Sequence, residues 1–394
     1  MFFVFNKAKV QNKKFSKPSH KHKIFYLCID LKIKKLNNSI FIAKPLTSNF
    51  IKVYQFSAQA PSNIALVKYW GKKENQIPAN PSLSFTLRNC HTDTKIIFTQ
   101  KKENISQFEI FFENEKKVSF KPKLTTFFER INKYVSFLSE FDMEIHTSNS
   151  FPHSSGIASS ASGMAAIAHC IMQLEKTIDP TINENYFNTK ASFLARLGSG
   201  SASRSIKGEV VAWGTHKDIA NSTDLYGVEF PFDLHQNFKN YQDTILLVDK
   251  GEKVVSSTVG HNLMNKHPYA KTRFKQAHEN LSKLTGILQN GDLAAFIELV
   301  ESEALTLHAM MMTSIPYFIL MKANTLEIIN KIWQFRAETG LHLCFTLDAG
   351  ANVHLLYPNN EKEKINNFIT STLANYCQNN QYICDELGNG AIAK

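Results

Sequence analysis

Hydrophobic and polar positions change period several times along this chain, and the changes divide it into elements. From Val53, the side chains of Tyr54, Phe56 and Ala58 alternate with neighbours of the other kind. That two-residue period predicts a strand. It runs into Ala60-Pro61-Ser62-Asn63-Ile64-Ala65-Leu66-Val67-Lys68-Tyr69-Trp70-Gly71-Lys72, which reads as a strand turning into a functional loop. Strand patterns follow at residues 82–87, 94–100 and 108–112, and helical spacing covers 124–138. After Glu144-Ile145-His146-Thr147 comes a turn of small residues, 152–163, and then an apolar helix over about 161–174. A second small-residue stretch, 197–204, precedes a strand at 209–214.

The later half predicts a strand at 243–248, amphipathic helices at 269–289, 293–310 and 325–338, and strands at 343–347 and 353–357 around the turn Asp348-Ala349-Gly350-Ala351-Asn352. Strands and helices mix without a strict βαβ alternation, which argues for an α+β fold with two lobes. No fixed-period repeat is visible. No apolar run reaches the roughly 18 residues of a membrane span.

Charge changes the picture only at one end. The 394 residues carry a net +11, but residues 1–57 hold twelve Lys, no Arg and a single acid, Asp30, so the remainder is neutral. A neutral body with a basic tail is a poor nucleic-acid groove, because phosphate affinity needs cations clustered on the folded surface. Residues 1–57 are therefore expected to be an accessory, poorly ordered extension outside the fold. The six cysteines form no CxxC pair, which disfavours zinc sites and disulfide frameworks and suits a reducing cytoplasm.

Four segments carry candidate chemistry. The 152–163 turn offers small residues, hydroxyls and a following helix N-terminus, a phosphate cradle that lacks the Gly-Lys-Ser/Thr ending of the common P-loop. A helix whose small face packs closely on a sheet has the same composition. Gly198-Ser199-Gly200-Ser201-Ala202-Ser203-Arg204 adds hydroxyls and a guanidinium suited to a diphosphate or carboxylate, or is an ordinary serine-rich loop. Lys68, Tyr69 and Lys72 could bind polyphosphate if a strand puts both lysines on one face, or form a solvated edge beside a buried Trp70. Asp348 leaves an apolar strand at a tight turn, as a base, a metal ligand or simply a turn residue. His153 and His354 lie near turns of interest, but no HExxH or paired spacing occurs, and most histidines read as structural.

In this order, Ala60-Pro61-Ser62-Asn63-Ile64-Ala65 with Lys68-Tyr69-Trp70-Gly71-Lys72, Gly156-Ile157-Ala158-Ser159-Ser160-Ala161, the Gly198–Arg204 turn, and Asp348-Ala349-Gly350 with Asn352 resemble the diphosphomevalonate decarboxylase family. That family sits within the superfamily of galactokinase, homoserine, mevalonate and phosphomevalonate kinases (GHMP). Trp70 within KYWGK and the GSGSAxR turn are the most specific elements, and the resemblance covers about residues 58–394. It implies a two-lobed GHMP-kinase-like α+β fold. The N-terminal lobe, 58–225, would be ribosomal-protein-S5-like, the C-terminal lobe, 226–394, ferredoxin-like, and the active site would lie in the cleft between them.

The implied activity is ATP-dependent decarboxylation of mevalonate 5-diphosphate to isopentenyl diphosphate, carbon dioxide, ADP and phosphate, with ATP and Mg²⁺. A sibling kinase of the mevalonate 3-kinase type, which releases no carbon dioxide, is the alternative. Carried over by position, Asp348 would engage the tertiary 3-hydroxyl, and Arg204 and Asn63 would hold the carboxylate. Tyr69, Lys72, Ser199, Ser201 and Arg204 would bind the substrate. Ser155, Gly156, Ala158, Ser159 and Ser160 would form the ATP phosphate loop, with Ser160 near Mg²⁺. Ile157 stands where Leu is usual and Ser203 where Cys is common. A cytoplasmic homodimer without nucleic-acid or membrane partners completes the expectation.

Overall fold

The computed structural model describes residues 38–45, 52–101, 107–153, 156–251 and 257–394. The first strand, β1 (Val53–Val67), is partly exposed at its start and buried on both faces from Ala60 onward. β2 (Ser82–Gln100) is one long strand where the sequence predicts two. Its second edge is shared: β6 (Val210–Trp213) pairs with Ser82 to Phe85, and β5 (Phe141–Asn149) with Thr92 to Gln100. Between these, the amides of Arg88, Asn89 and Cys90 donate to the carboxylate of Asp385 at 2.9, 2.8 and 2.7 Å. A distant acid thus satisfies the backbone where the local pattern breaks.

β3 (Phe108–Phe112) runs parallel to β5, β4 (Glu115–Lys116) follows it, and β7 (Val228–Glu229) pairs with β6. β12 (Ile392–Ala393) returns to pair with Ala58 and Gln59, so residues beyond the predicted 58–225 lobe complete its sheet. The helices α1 (Lys121–Ile131), α2 (Ser159–Ile178) and α3 (Glu184–Gly198) share one core with this sheet. α1 ends earlier than its spacing predicts, and a separate 3₁₀ turn takes up Ser136–Glu140. α3 escapes the sequence reading because charged residues sit among its buried positions. Lys190 is paired with Glu175 at 2.6 Å, and Arg196 donates to the Leu225 carbonyl at 2.6 Å.

The second lobe is a four-stranded antiparallel sheet ordered β11-β8-β10-β9, from β8 (Gln242–Leu246), β9 (Cys344–Thr346), β10 (Val353–Tyr357) and β11 (Tyr382–Glu386). Its helices are α4 (Ser257–Leu263), α5 (Ala270–Asn290), α6 (Leu293–Met312), α7 (Ala323–Thr339) and α8 (Lys362–Ser371). Apolar residues of α5, α6 and β8 meet those of β1 and β2 in one cluster, which fixes the lobes against each other. No helix among the described residues is long and apolar enough to cross a membrane.

One boundary differs from the expectation. Phe41 is fully buried and stacks on Phe193 at 4.2 Å, while Ala43 N–H donates to the Tyr134 carbonyl at 2.8 Å. Residues 38–45 and the start of β1 therefore belong to the first lobe, and the predicted 1–57 extension is too long. A single anchoring aromatic in a lysine-rich stretch leaves no periodic signal. Residues 1–37 lie outside the described residues. Phe41→Ala should cost about 3–5 kcal/mol in urea unfolding, as truncation of a buried aromatic does. An unchanged midpoint would place this segment outside the cooperative unit.

Candidate active site

The strand β1 ends at Val67, and the next five residues form a turn held mainly by the second lobe. Lys68 N–H donates to Glu303 Oε2 at 2.8 Å. Its carbonyl accepts from Asn80 Nδ2 at 2.9 Å and Arg273 Nη2 at 3.3 Å. Gly71, at φ 101°, donates its N–H to His261 Nδ1 at 3.0 Å. A Cβ on Gly71 would also lie 3.0 Å from the Phe274 ring, so glycine is required twice over. Trp70 is buried among Met264, Leu307 and Met311, anchoring the turn.

This geometry separates the two lysines that one strand face would have aligned. Lys68 is buried, and its Nζ reaches Asp348 Oδ1 at 3.3 Å. Burial pulls its pKa down and the Asp348 carboxylate pulls it back up. Lys72 is half-buried, its pKa lowered by burial first and by the Arg130 guanidinium second. The Tyr69 hydroxyl is buried without a hydrogen-bond partner among the described residues, and burial pushes its pKa up. An orphaned donor beside cations fits an anionic ligand.

Ser199 follows α3, and a 3₁₀ turn over Gly200–Ser205 carries Arg204 inward. Arg204 Nε donates to Ser84 Oγ at 2.6 Å and Asn63 Oδ1 at 3.3 Å, and Nη1 donates to Ser82 Oγ at 2.6 Å. Burial lowers its pKa to about 10, so the guanidinium stays charged at neutral pH. Asn63 Nδ2 donates to the Ser201 carbonyl at 3.2 Å and to Ser205 Oγ at 2.8 Å. Both amide hydrogens are thereby used, so Asn63 acts on the site by orienting Arg204 and the turn. Gly200 lets Tyr69 in, since a Cβ there would lie 2.8 Å from the Tyr69 hydroxyl.

α2 starts two residues earlier than predicted, which moves Ser159 and Ser160 into its first turn. Gly156 at φ 89° and Ala158 at φ 46° turn the chain into the helix, and Ala158 supplies no side-chain cap. Ala161 N–H donates back to the Ala158 carbonyl at 2.7 Å, and the helix start that Ser159 and Ser160 form is the kind of element that receives an anion. Ser160 Oγ lies 3.2 Å from Ser199 Oγ, joining the two glycine-serine turns. Ser155 lies outside the described residues. Among them, no cluster of three or more His, Cys, Asp or Glu side chains could hold a metal ion. The Ser160 and Ser199 hydroxyls are hard oxygen donors of the kind Mg²⁺ takes beside phosphate oxygens.

Opposite this loop stands the turn after β9. A Cβ on Gly350 would lie 3.5 Å from Gly156 Cα, so the two loops meet backbone to backbone. Asp348 is a quarter exposed, at 25%, toward the cleft. Its carbonyl accepts from His308 Nε2 at 3.2 Å, and burial lowers the His308 pKa to about 4, so the ring is neutral.

Two family models match in sequence order. Residues 60–224 fit the diphosphomevalonate decarboxylase-like N-terminal domain, and residues 244–390 fit the mevalonate 5-diphosphate decarboxylase C-terminal domain. The chain belongs to the diphosphomevalonate decarboxylase family. The diphosphomevalonate decarboxylase of Schizosaccharomyces pombe is 27% identical over 342 residues, 82% of this chain and 84% of that protein. That of Saccharomyces cerevisiae is 29% identical over 336 residues, 80% and 81% of the two chains. The crystal structure of mevalonate diphosphate decarboxylase from Staphylococcus aureus superposes with a TM-score of 0.74 at 28% identity, covering 87% of this chain and 98% of that one.

Asn63 thus bonds to Arg204 and Ser201, Ser160 meets Ser199, Tyr69 packs on Gly200, and Gly156 touches Gly350 two residues from Asp348, with Lys72 on the same turn as Tyr69. Glu303, Arg273, His261 and His308 escaped the sequence reading. Each occupies a helix or helix flank where a polar residue looks solvent-facing. His261 and His308 also give an acid signature. Their folded pKa values, about 3 and about 4, lie below the 6.5 of the unfolded chain. The unfolded state then binds more protons below pH 6.5, and stability is lost as pH falls from there toward 4. Urea titrations at pH 7 and 4.5 should show this loss, and His308→Gln should reduce it.

Proposed function

We propose that this chain performs the ATP-dependent decarboxylation of mevalonate 5-diphosphate to isopentenyl diphosphate, with carbon dioxide, ADP and phosphate as the other products. The observation that carries the reading is the cleft itself. One carboxylate, Asp348, pairs with buried Lys68 of the KYWGK turn at 3.3 Å and lies near enough to Arg204 to act on its charge, and Gly350 just beyond it touches Gly156 of the glycine-serine loop. A related structure described as MDDEF in complex with MVAPP, AMPPCP and magnesium, 25% identical with a TM-score of 0.74, supports ATP and Mg²⁺ as the co-substrate and its ion. The named relatives are decarboxylases, which leaves the mevalonate 3-kinase alternative without support.

ATP with Mg²⁺ supplies the phosphoryl group that makes the tertiary hydroxyl able to leave. The chain's own residues do the rest. Asp348 orients that hydroxyl, takes up its proton and stabilises positive character growing at the tertiary carbon. Lys68 fixes the carboxylate and balances its charge. Arg204, held at Nε and Nη1 by Asn63, Ser84 and Ser82, presents its remaining edge to the substrate carboxylate, where fork geometry keeps the bond to be broken aligned. Lys72, Tyr69, Ser199 and Ser201 hold the diphosphate. Ser159, Ser160, Gly156 and Ala158 receive the ATP phosphates at the start of α2, and Ser160 offers its hydroxyl to the Mg²⁺. The described cysteines are free thiols, which suits the cytoplasm.

Release of labelled carbon dioxide from carboxyl-labelled mevalonate 5-diphosphate and ATP is the direct test, and accumulation of a phosphorylated acid without gas would reverse the reading. Asp348→Asn should lower turnover by about 10²- to 10⁴-fold, the range for loss of a positioned general base. It also leaves buried Lys68 without its counter-charge, so melting temperature falls too and turnover is compared on folded protein. Arg204→Ala should raise KM for the diphosphate substrate and lower kcat, at a cost of about 1.5–3 kcal/mol for the lost charge-assisted bond. Arg204→Lys should recover part of this, and wild-type kinetics in Arg204→Ala would remove Arg204 from the site.

A further inference from the structure

The KYWGK turn carries Tyr69 and Lys72, assigned above to the diphosphate, and its backbone is tied locally on one side only, where Ala79 N–H donates to the Gly71 carbonyl at 3.1 Å and Lys72 bridges to Pro78. Gly71 takes a left-handed conformation, at φ 101°, that no hydrogen bond within the turn stabilises on its donor side. The partner for its N–H comes from α4 of the other lobe, where His261 Nδ1 accepts at 3.0 Å. The His261 ring lies against Tyr69, with centroids 4.3 Å apart, and against Trp70 at 4.6 Å. Gly260 permits this approach, since a Cβ there would lie 2.6 Å from the Trp70 ring. His261 is itself buried.

We propose that His261 is a positioning residue for the substrate diphosphate, setting Tyr69 and Lys72 through its hydrogen bond from Gly71 and its contacts with the two flanking rings. The inference rests on the function proposed above. An imidazole accepting at Nδ1 carries its proton on Nε2 and is neutral. Burial, with Lys72 and Arg204 nearby, lowers its pKa to about 3, so it holds this tautomer throughout the neutral range. A protonated ring would donate at Nδ1, lose Gly71 and add a cation beside Lys72. The residue therefore gives the turn an acceptor without adding charge to the site. Loss of that acceptor leaves Gly71 held only through its carbonyl, by Ala79 N–H, so the Tyr69 and Lys72 side chains lose their fixed direction while the phosphate loop at α2 stays intact.

The test compares H261F, which keeps an aromatic ring and removes the acceptor, with H261N, whose Oδ1 replaces Nδ1. Steady-state kinetics with mevalonate 5-diphosphate and ATP are run beside calorimetric binding of inorganic diphosphate. H261F should raise KM for the substrate and Kd for diphosphate by about tenfold or more, with KM for ATP within about twofold. H261N should stay within about threefold of wild type on every measure. Wild-type diphosphate binding by H261F, equal weakening in H261N, or an equal rise in KM for ATP would overturn the proposal. Should H261F fail to fold, ¹⁵N shifts of the wild-type ring decide. An Nε2–H tautomer that does not titrate between pH 5 and 9 and responds to diphosphate supports it, and a ring that titrates in that range defeats it. A wild-type protein that turns over no mevalonate 5-diphosphate would refute the proposed function, while the diphosphate-binding series still judges His261.

Discussion

Glu303 of α6 is a carboxylate with no solvent exposure, and the turn after β1 is built around it. Arg273 of α5 closes on both of its oxygens, Asn280 donates its amide to Oε1, and Lys68 N–H reaches Oε2 at 2.8 Å. A buried carboxylate costs several kcal/mol unless paired and fully hydrogen-bonded. The network is therefore all-or-none: removing Arg273 leaves an uncompensated charge, and moving the end of β1 leaves an unmet acceptor. Helices from one lobe and the residue that follows β1 of the other are tied at one point. The Lys68 side chain starts from that point, and its direction sets where Asp348 is held.

The electrostatic character of the cleft follows. Lys68 and Arg204 share the Asp348 carboxylate, while Lys72 feels the Arg130 guanidinium, which together with burial depresses its pKa. Burial strains these cations, which in a low-dielectric site makes them strong ligands for an anion that arrives already charged. The histidines offset the excess by remaining neutral. The His261 ring accepts from the Gly71 N–H and the His308 ring donates to the Asp348 carbonyl, neither adding positive charge. In the function proposed above, the diphosphate and carboxylate of the substrate would meet these cations, and its hydroxyl would fall to Asp348.

Much of this was legible in the chain. Period-two alternation located β1, and β10 fell on residues 353–357 as predicted, because strand and helix periods depend on near neighbours in sequence. Gly71 and Gly156 marked turns, since positive φ is a local demand that glycine meets. Arg204 and Asp348 stood out because a charge inside a small-residue turn has a local anomaly to betray it. Tertiary structure alone decided which groups meet. His261 lies 190 residues from Gly71, Glu303 lies 235 residues from Lys68, and Asp348 lies 280 from Lys68. A glutamate on an amphipathic helix looks solvent-facing until an arginine from another helix covers it, and Phe41 looked like part of a basic tail until Phe193 received it. Periodicity reports the face a residue shares with its own neighbours, whereas burial of charge is settled by the partner across the gap, and no stretch of sequence contains both.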